Sequence, residues 1–160
     1  MQRVSLVDMT DIDPRLDLDR VLARDEDLEE VLTLLLRNAI HRQMWLFFLD
    51  DQDRATGVIA PCDDYPLDPH GRVPTSDHGG MTFAAALCRT LRALVDDGAA
   101  GRVVLIWERR GSEVFTPDEL GWAGAMAEAC RDAHVPLRAQ FLLHDAGVRM
   151  LTPDDYAAFR

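Results

Sequence analysis

Val103-Val104-Leu105-Ile106-Trp107 is a short, unbroken apolar run with none of the polar alternation of a strand that keeps one face in water. Such a segment is stable as a strand covered on both faces, so the chain must supply a sheet with helices packed on it. A second run of this kind, Met44-Trp45-Leu46-Phe47-Phe48-Leu49, is followed by the polar turn Asp50-Asp51-Gln52-Asp53 and a hairpin partner from about Thr56 to Ala60. Leu137 to Leu143 reads as another strand, Asp145-Ala146-Gly147 as a turn, and Val148 to Leu151 as its return strand.

Helices are expected between these strands. Leu28, Val31, Leu32, Leu35, Ala39 and Ile40 recur at helical spacing behind Asp25-Glu26-Asp27, acids that favour the positive end of a helix dipole. Thr82 caps a helix with the stripe Phe83, Leu87, Leu91, Leu94 and Val95, which closes near Asp97-Gly98. Thr116-Pro117-Asp118-Glu119 is a full capping-box pattern opening a helix whose inner face is Leu120, Ala123, Ala127 and Cys130. Thr152-Pro153-Asp154-Asp155 starts a last helical turn, and Asp13-Pro14 opens a short helix carrying Leu18, Val21 and Leu22. The expected fold is α/β with mixed character: a mixed central β-sheet with a hairpin and strand-helix-strand units, helices on its faces, and N-terminal helices before it. Residues 1–24 form an acidic, partly helical N-terminal segment and residues 25–160 a single domain. Its core is expected to hold Trp45, Phe47, Leu49, Leu87, Leu91, Val104, Ile106, Leu120, Ala127 and Leu142.

Charge removes several function classes. The net charge is −11, and all 17 basic residues are arginine. Nucleic acid is an unsuitable partner for so acidic a surface, and lysine-dependent Schiff-base or P-loop chemistry has no residue to perform it. The glycines match neither dinucleotide nor phosphate-loop spacing. No apolar run approaches the roughly 18 to 20 residues of a membrane span, and Met1 to Asp13 lacks the order of a signal peptide, so a cytoplasmic protein without membrane contact is expected. Cys62, Cys88 and Cys130 are odd in number and widely spaced. Cys88 and Cys130 read as small core residues, and Cys62 as a loop residue.

From Trp45 to about Leu151 the order of patterns resembles the JAB/MPN metalloprotease superfamily, most closely its bacterial RadC-like branch. The hairpin WLFFLDDQDRATGVIA, the helix TFAAALCRTLRALVDDG, the strand end RVVLIWERRGS, the helix opening TPDEL and the closing LRAQFLLHDAGVRML carry the resemblance. It implies a zinc site in which a His-x-His pair at the strand end and an Asp after a Ser or Thr hold the metal. Here that stretch is Glu108-Arg109-Arg110, followed by Thr116-Pro117-Asp118-Glu119. Without the histidines, and with a permanent cation at Arg110, the resemblance implies a scaffold whose metalloprotease site is lost. No cofactor or metal is expected.

Glu108, Arg109 and Arg110 remain the ligand-binding candidates, because they sit at the carboxyl end of the central strand, where open α/β sheets bind ligands. The alternative site is the Pro- and Asp-rich loop 61–80, where His70, His78, Asp68 and Asp77 have the residue types, though not the spacing, of a metal site. Ser112, without an elbow motif, and the single histidines His41, His134 and His144 read as structural or surface residues. Function is therefore expected to be that of a non-catalytic regulatory or protein-interaction module. The alternatives are a metal-dependent hydrolase using loop 61–80 and a small-anion sensor at the strand-end arginines. A protein partner or a second copy of the chain is expected to meet the acidic stretch from Asp8 to Glu30, whose ten acids face four arginines within the first thirty residues.

Overall fold

The computed structural model describes residues 7–8, 17, 19–72 and 80–159. The chain runs β1 (Val7–Asp8), α1 (Asp25–Leu36), β2 (Gln43–Leu49), β3 (Ala55–Cys62), α2 (Phe83–Asp96), β4 (Arg102–Glu108), α3 (Pro117–Asp132), β5 (Leu137–His144), β6 (Gly147–Leu151) and α4 (Pro153–Tyr156). The strands form one sheet in the order β1-β3-β2-β4-β5-β6. Its centre is β4, which pairs antiparallel with β2 and parallel with β5. The sheet is therefore mixed, with hairpins β2–β3 and β5–β6 on either side of the centre.

Both faces of β4 are covered, as its composition requires. On one face Phe47, Val104, Ile106 and Phe141 meet Leu28, Leu32 and Leu35 of α1. On the other, Leu105, Trp107 and Leu142 meet Leu91 of α2 and Trp122 and Met126 of α3. The apolar stripe of α1 is thus covered by the chain's own sheet. Tyr65, Phe83, Trp107 and Trp122 pack edge to face or tilted, with ring centroids 5.2–5.8 Å apart, the arrangement aromatic quadrupoles favour. A buried polar thread crosses this core: Trp107 Nε1 donates to Gln140 Oε1 at 2.9 Å, and Gln140 Nε2 to the Ala123 carbonyl at 2.9 Å, fixing α3 on the sheet. At the other end of the sheet Gly101 donates to the Leu49 carbonyl at 2.8 Å, and a Cβ there would lie 2.6 Å from the Asp51 nitrogen, so only glycine fits.

Several expectations are corrected. Val21 and Leu22 are not helical: Val21 forms a bridge to Arg54, and Leu22 donates to the Asp53 carbonyl at 2.7 Å, a tertiary backbone bond that overrides local spacing. The start of that proposed helix, with Asp13, Pro14 and Leu18, lies outside the described residues. The helix expected to reach Ile40 ends at Leu36, because Arg37 turns to φ 61°, and Ile40 is 70% exposed. Of the expected core, Trp45, Leu87, Leu120 and Ala127 are only partly buried, packed at the margins of the two clusters. Cys62 ends β3 instead of lying in a loop, and His144 is buried at the end of β5, where its Nδ1 accepts from the Ala146 amide at 3.2 Å.

Leu91 and Ile106 are 1% and 0% exposed, on opposite faces of the sheet. Truncating either to Ala should lower stability by about 2 to 5 kcal/mol in denaturant melts.

Candidate functional site

Glu108 is the last residue of β4 and is only 2% exposed. Strand alternation puts its side chain on the α1 face beside Gln43 and Trp45, since Gln43 is in register with Glu108 and Trp45 with Ile106. The chain leaving α1 folds across this point. One carboxyl oxygen accepts from the backbone amides of Ile40 at 2.6 Å and His41 at 3.1 Å. The other accepts from Gln43 Nε2 at 2.9 Å and Trp45 Nε1 at 2.8 Å. All of these are N–H donors, the complement of a carboxylate. The acceptor capacity aimed into this end of the sheet is thus taken up by the chain itself.

Arg109 turns to the other side and is also consumed. Its Nη2 lies 2.6 Å from Glu119 Oε1, and its guanidinium donates further to the carbonyls of Ser112 at 2.7 Å and Val114 at 2.8 Å. Glu119, 3% exposed, also accepts from the Thr116 amide at 2.7 Å and from the Thr116 hydroxyl. The helix cap of α3, the loop 109–116 and the end of β4 are thereby one network. Burial opposes the charge on Glu119, but the bonds from Arg109 and Thr116 prevail and hold its carboxyl below the ordinary range. Glu119 is structural, as its capping position implies, and gains a second role as the buried partner of Arg109.

Arg110 alone of the three candidates faces solvent. Its side chain is 70% exposed and lies 2.8 Å from Asp145 Oδ1. The Gly111 amide and the Arg110 guanidinium hold Asp145 below its usual value. Glu108, Arg109 and Arg110 are adjacent in sequence but are engaged with three separate sets of partners. In loop 61–80, Asp68 Oδ1 accepts from the His70 amide at 2.9 Å, a turn contact, and His70 is exposed. Asp77 and His78 lie outside the described residues. Among the described residues no three His, Cys, Asp or Glu side chains are placed to hold a metal ion.

Arg42 ties this loop to the same end of the sheet, a contact with no signal in the sequence. It donates to the Tyr65 carbonyl at 2.9 Å and the Pro66 carbonyl at 3.2 Å, lies 3.3 Å from Asp118, and covers the Tyr65 ring at 3.7 Å. Gln43 and Trp45 were equally hidden as partners of Glu108, since only the register of β2 on β4 brings them there. Three loops therefore meet at the carboxyl end of β4, each fastened by a polar side chain. Among the described residues each also carries an exposed large apolar side chain: Ile40, Leu67 and Val114 are 70%, 77% and 66% exposed. Ser112 Oγ accepts from the Val114 amide at 3.2 Å, a turn contact that helps set the loop. No family model matches the chain, and no curated protein matches it.

Replacing Glu119 with Ala should cost about 1 to 3 kcal/mol, because it removes the acceptor of the Thr116 cap and leaves the partly buried Arg109 guanidinium without its carboxylate. Arg110→Ala should fall within about 0.5 kcal/mol of wild type, as exposed pairs do. The depressed pKa of Glu119 contributes stability that is full above its unfolded-state pKa and is lost as pH falls through the folded value. Melts taken downward from pH 5 should therefore show a steeper acid loss in the wild type than in Glu119→Gln.

Proposed function

We propose that the chain is a non-catalytic protein-interaction module, and that the carboxyl end of β4 with its three loops is the contact surface. The supporting observation is that Glu108, Arg109 and Glu119, the groups best placed to bind or react with a small molecule, spend their bonds on the loops 37–42 and 109–116. The chemistry of this end is then the presentation of a surface. Ile40, Leu67 and Val114 supply apolar contact points, and the charged rim is built by Arg110 and Asp145. Apolar residues exposed on neighbouring loops beside charged groups are the kinds of side chain that protein contacts combine. A net charge of −11 favours a partner whose own rim is basic. The scaffold is read as JAB/MPN-like with its metalloprotease residues replaced, a reading supported by the order of elements and by the residues standing at 108–110.

A variant carrying Ile40→Asp, Leu67→Asp and Val114→Asp tests this. Affinity capture from the source cell should recover a partner with the wild type that is lost with the variant, while both melt within a few degrees of each other. Recovery of the same proteins by both, or stoichiometric zinc that vanishes on His70→Ala substitution, would refute the interaction reading.

A further inference from the structure

Cys88 and Cys130 are buried on facing helices, each 1% exposed, and their sulfur atoms lie 3.6 Å apart. They are 42 residues apart in sequence, so only the packing of α2 on α3 brings them together. We propose that they form a dithiol site which a hydroperoxide converts to a disulfide joining α2 to α3. A disulfide needs sulfurs about 2.05 Å apart, so closure asks each sulfur to move less than about 1 Å.

A second feature supplies the route. A groove of about 460 Å³ runs between the two helices, lined by Met81, Ala84, Cys88, Ala125 and Ala129, among others. Cys88 is among the groove's lining residues and Cys130 is not, so Cys88, though only 1% exposed, is the thiol nearer an oxidant that enters there. The alanines keep its walls low, and the groove is wide enough to admit hydrogen peroxide or a small organic hydroperoxide. The Cys88 thiolate attacks one peroxide oxygen, the O–O bond breaks, and the expelled hydroxide or alkoxide takes up a proton. Cys130 sulfur then attacks the resulting sulfenic sulfur, loses its proton and displaces hydroxide. In sum, two thiols and one hydroperoxide give one disulfide, one water and one water or alcohol. The hydrogen bond to Cys130 and burial both push the Cys88 thiol up, so the step is slow at neutral pH and answers sustained oxidant. Cys62, on β3, is not among the groove's lining residues, and burial followed by the Asp63 charge pushes its thiol up to about 11.

The full chain should be exposed to hydrogen peroxide, unfolded, alkylated and mapped by mass. The expected result is an intact mass lower by two hydrogens, a peptide of Cys88 linked to one of Cys130, and alkylated Cys62. The cross-link closes a loop in the chain and should raise Tm by about 5 to 15 °C. Cys62→Ser should keep the link, and Cys88→Ser and Cys130→Ser should each lose it. Should either of the last two fail to fold, the wild-type map decides alone. Recovery of Cys88 and Cys130 as free thiols under an exposure that oxidises them in the urea-unfolded chain would overturn the proposal, as would a link through Cys62.

Discussion

A carboxylate buried at the end of the central strand governs one whole end of this molecule. Glu108 closes the α1 face of the core at the last position of β4, and a charge at 2% exposure must be met by donors or it would destabilise the fold by several kcal/mol. The donors come from the chain leaving α1 and from β2. Because they include two backbone amides, the path of the loop 37–42 is set by Glu108: Arg37 takes a positive φ, α1 stops, and Ile40 is turned outward. The exposed apolar residue on that loop is thus a consequence of satisfying the buried charge.

Arg109 repeats the logic on the next residue with the opposite sign. Its partner Glu119 lies in the first turn of α3, so one ion pair fastens the loop 109–116 to a helix start whose dipole already favours a carboxylate. Arg42 fastens the third loop to Asp118 one residue away. The neighbouring acids of a single helix opening each bind an arginine, Glu119 fastening the loop 109–116 through Arg109 and Asp118 the stretch at Tyr65 and Pro66 through Arg42. Preorganised surfaces lose less entropy on contact with a partner, which connects this framework of buried charge to the interaction role we propose.

Local patterns carried most of the fold. The strands β2 and β4 were visible because residues buried on two faces have no polar alternation, and the start of α3 because a capping box is spelled by adjacent residues, Thr116 to Glu119. What could not be seen depends on register and long-range closure. Glu108 beside two arginines looks like an exposed charged cluster, and the amides that bury it belong to residues 67 and 68 positions earlier. Leu22 has helical spacing but is placed by a bond to Asp53. Cys88 and Cys130 were recognisable as core residues, whereas their contact follows only from how two helices pack.

If Glu108 is fully engaged with the loop 37–42, the amides of Ile40 and His41 must be shielded from solvent although their side chains are exposed. Native-state hydrogen exchange of these two amides tests this directly. Protection close to that of the β4 amides, released only on global unfolding, is the expected result. Exchange at the rate of an unprotected loop would mean that the Glu108 carboxylate is available to a ligand, and would contradict the structural role assigned to the end of the central strand.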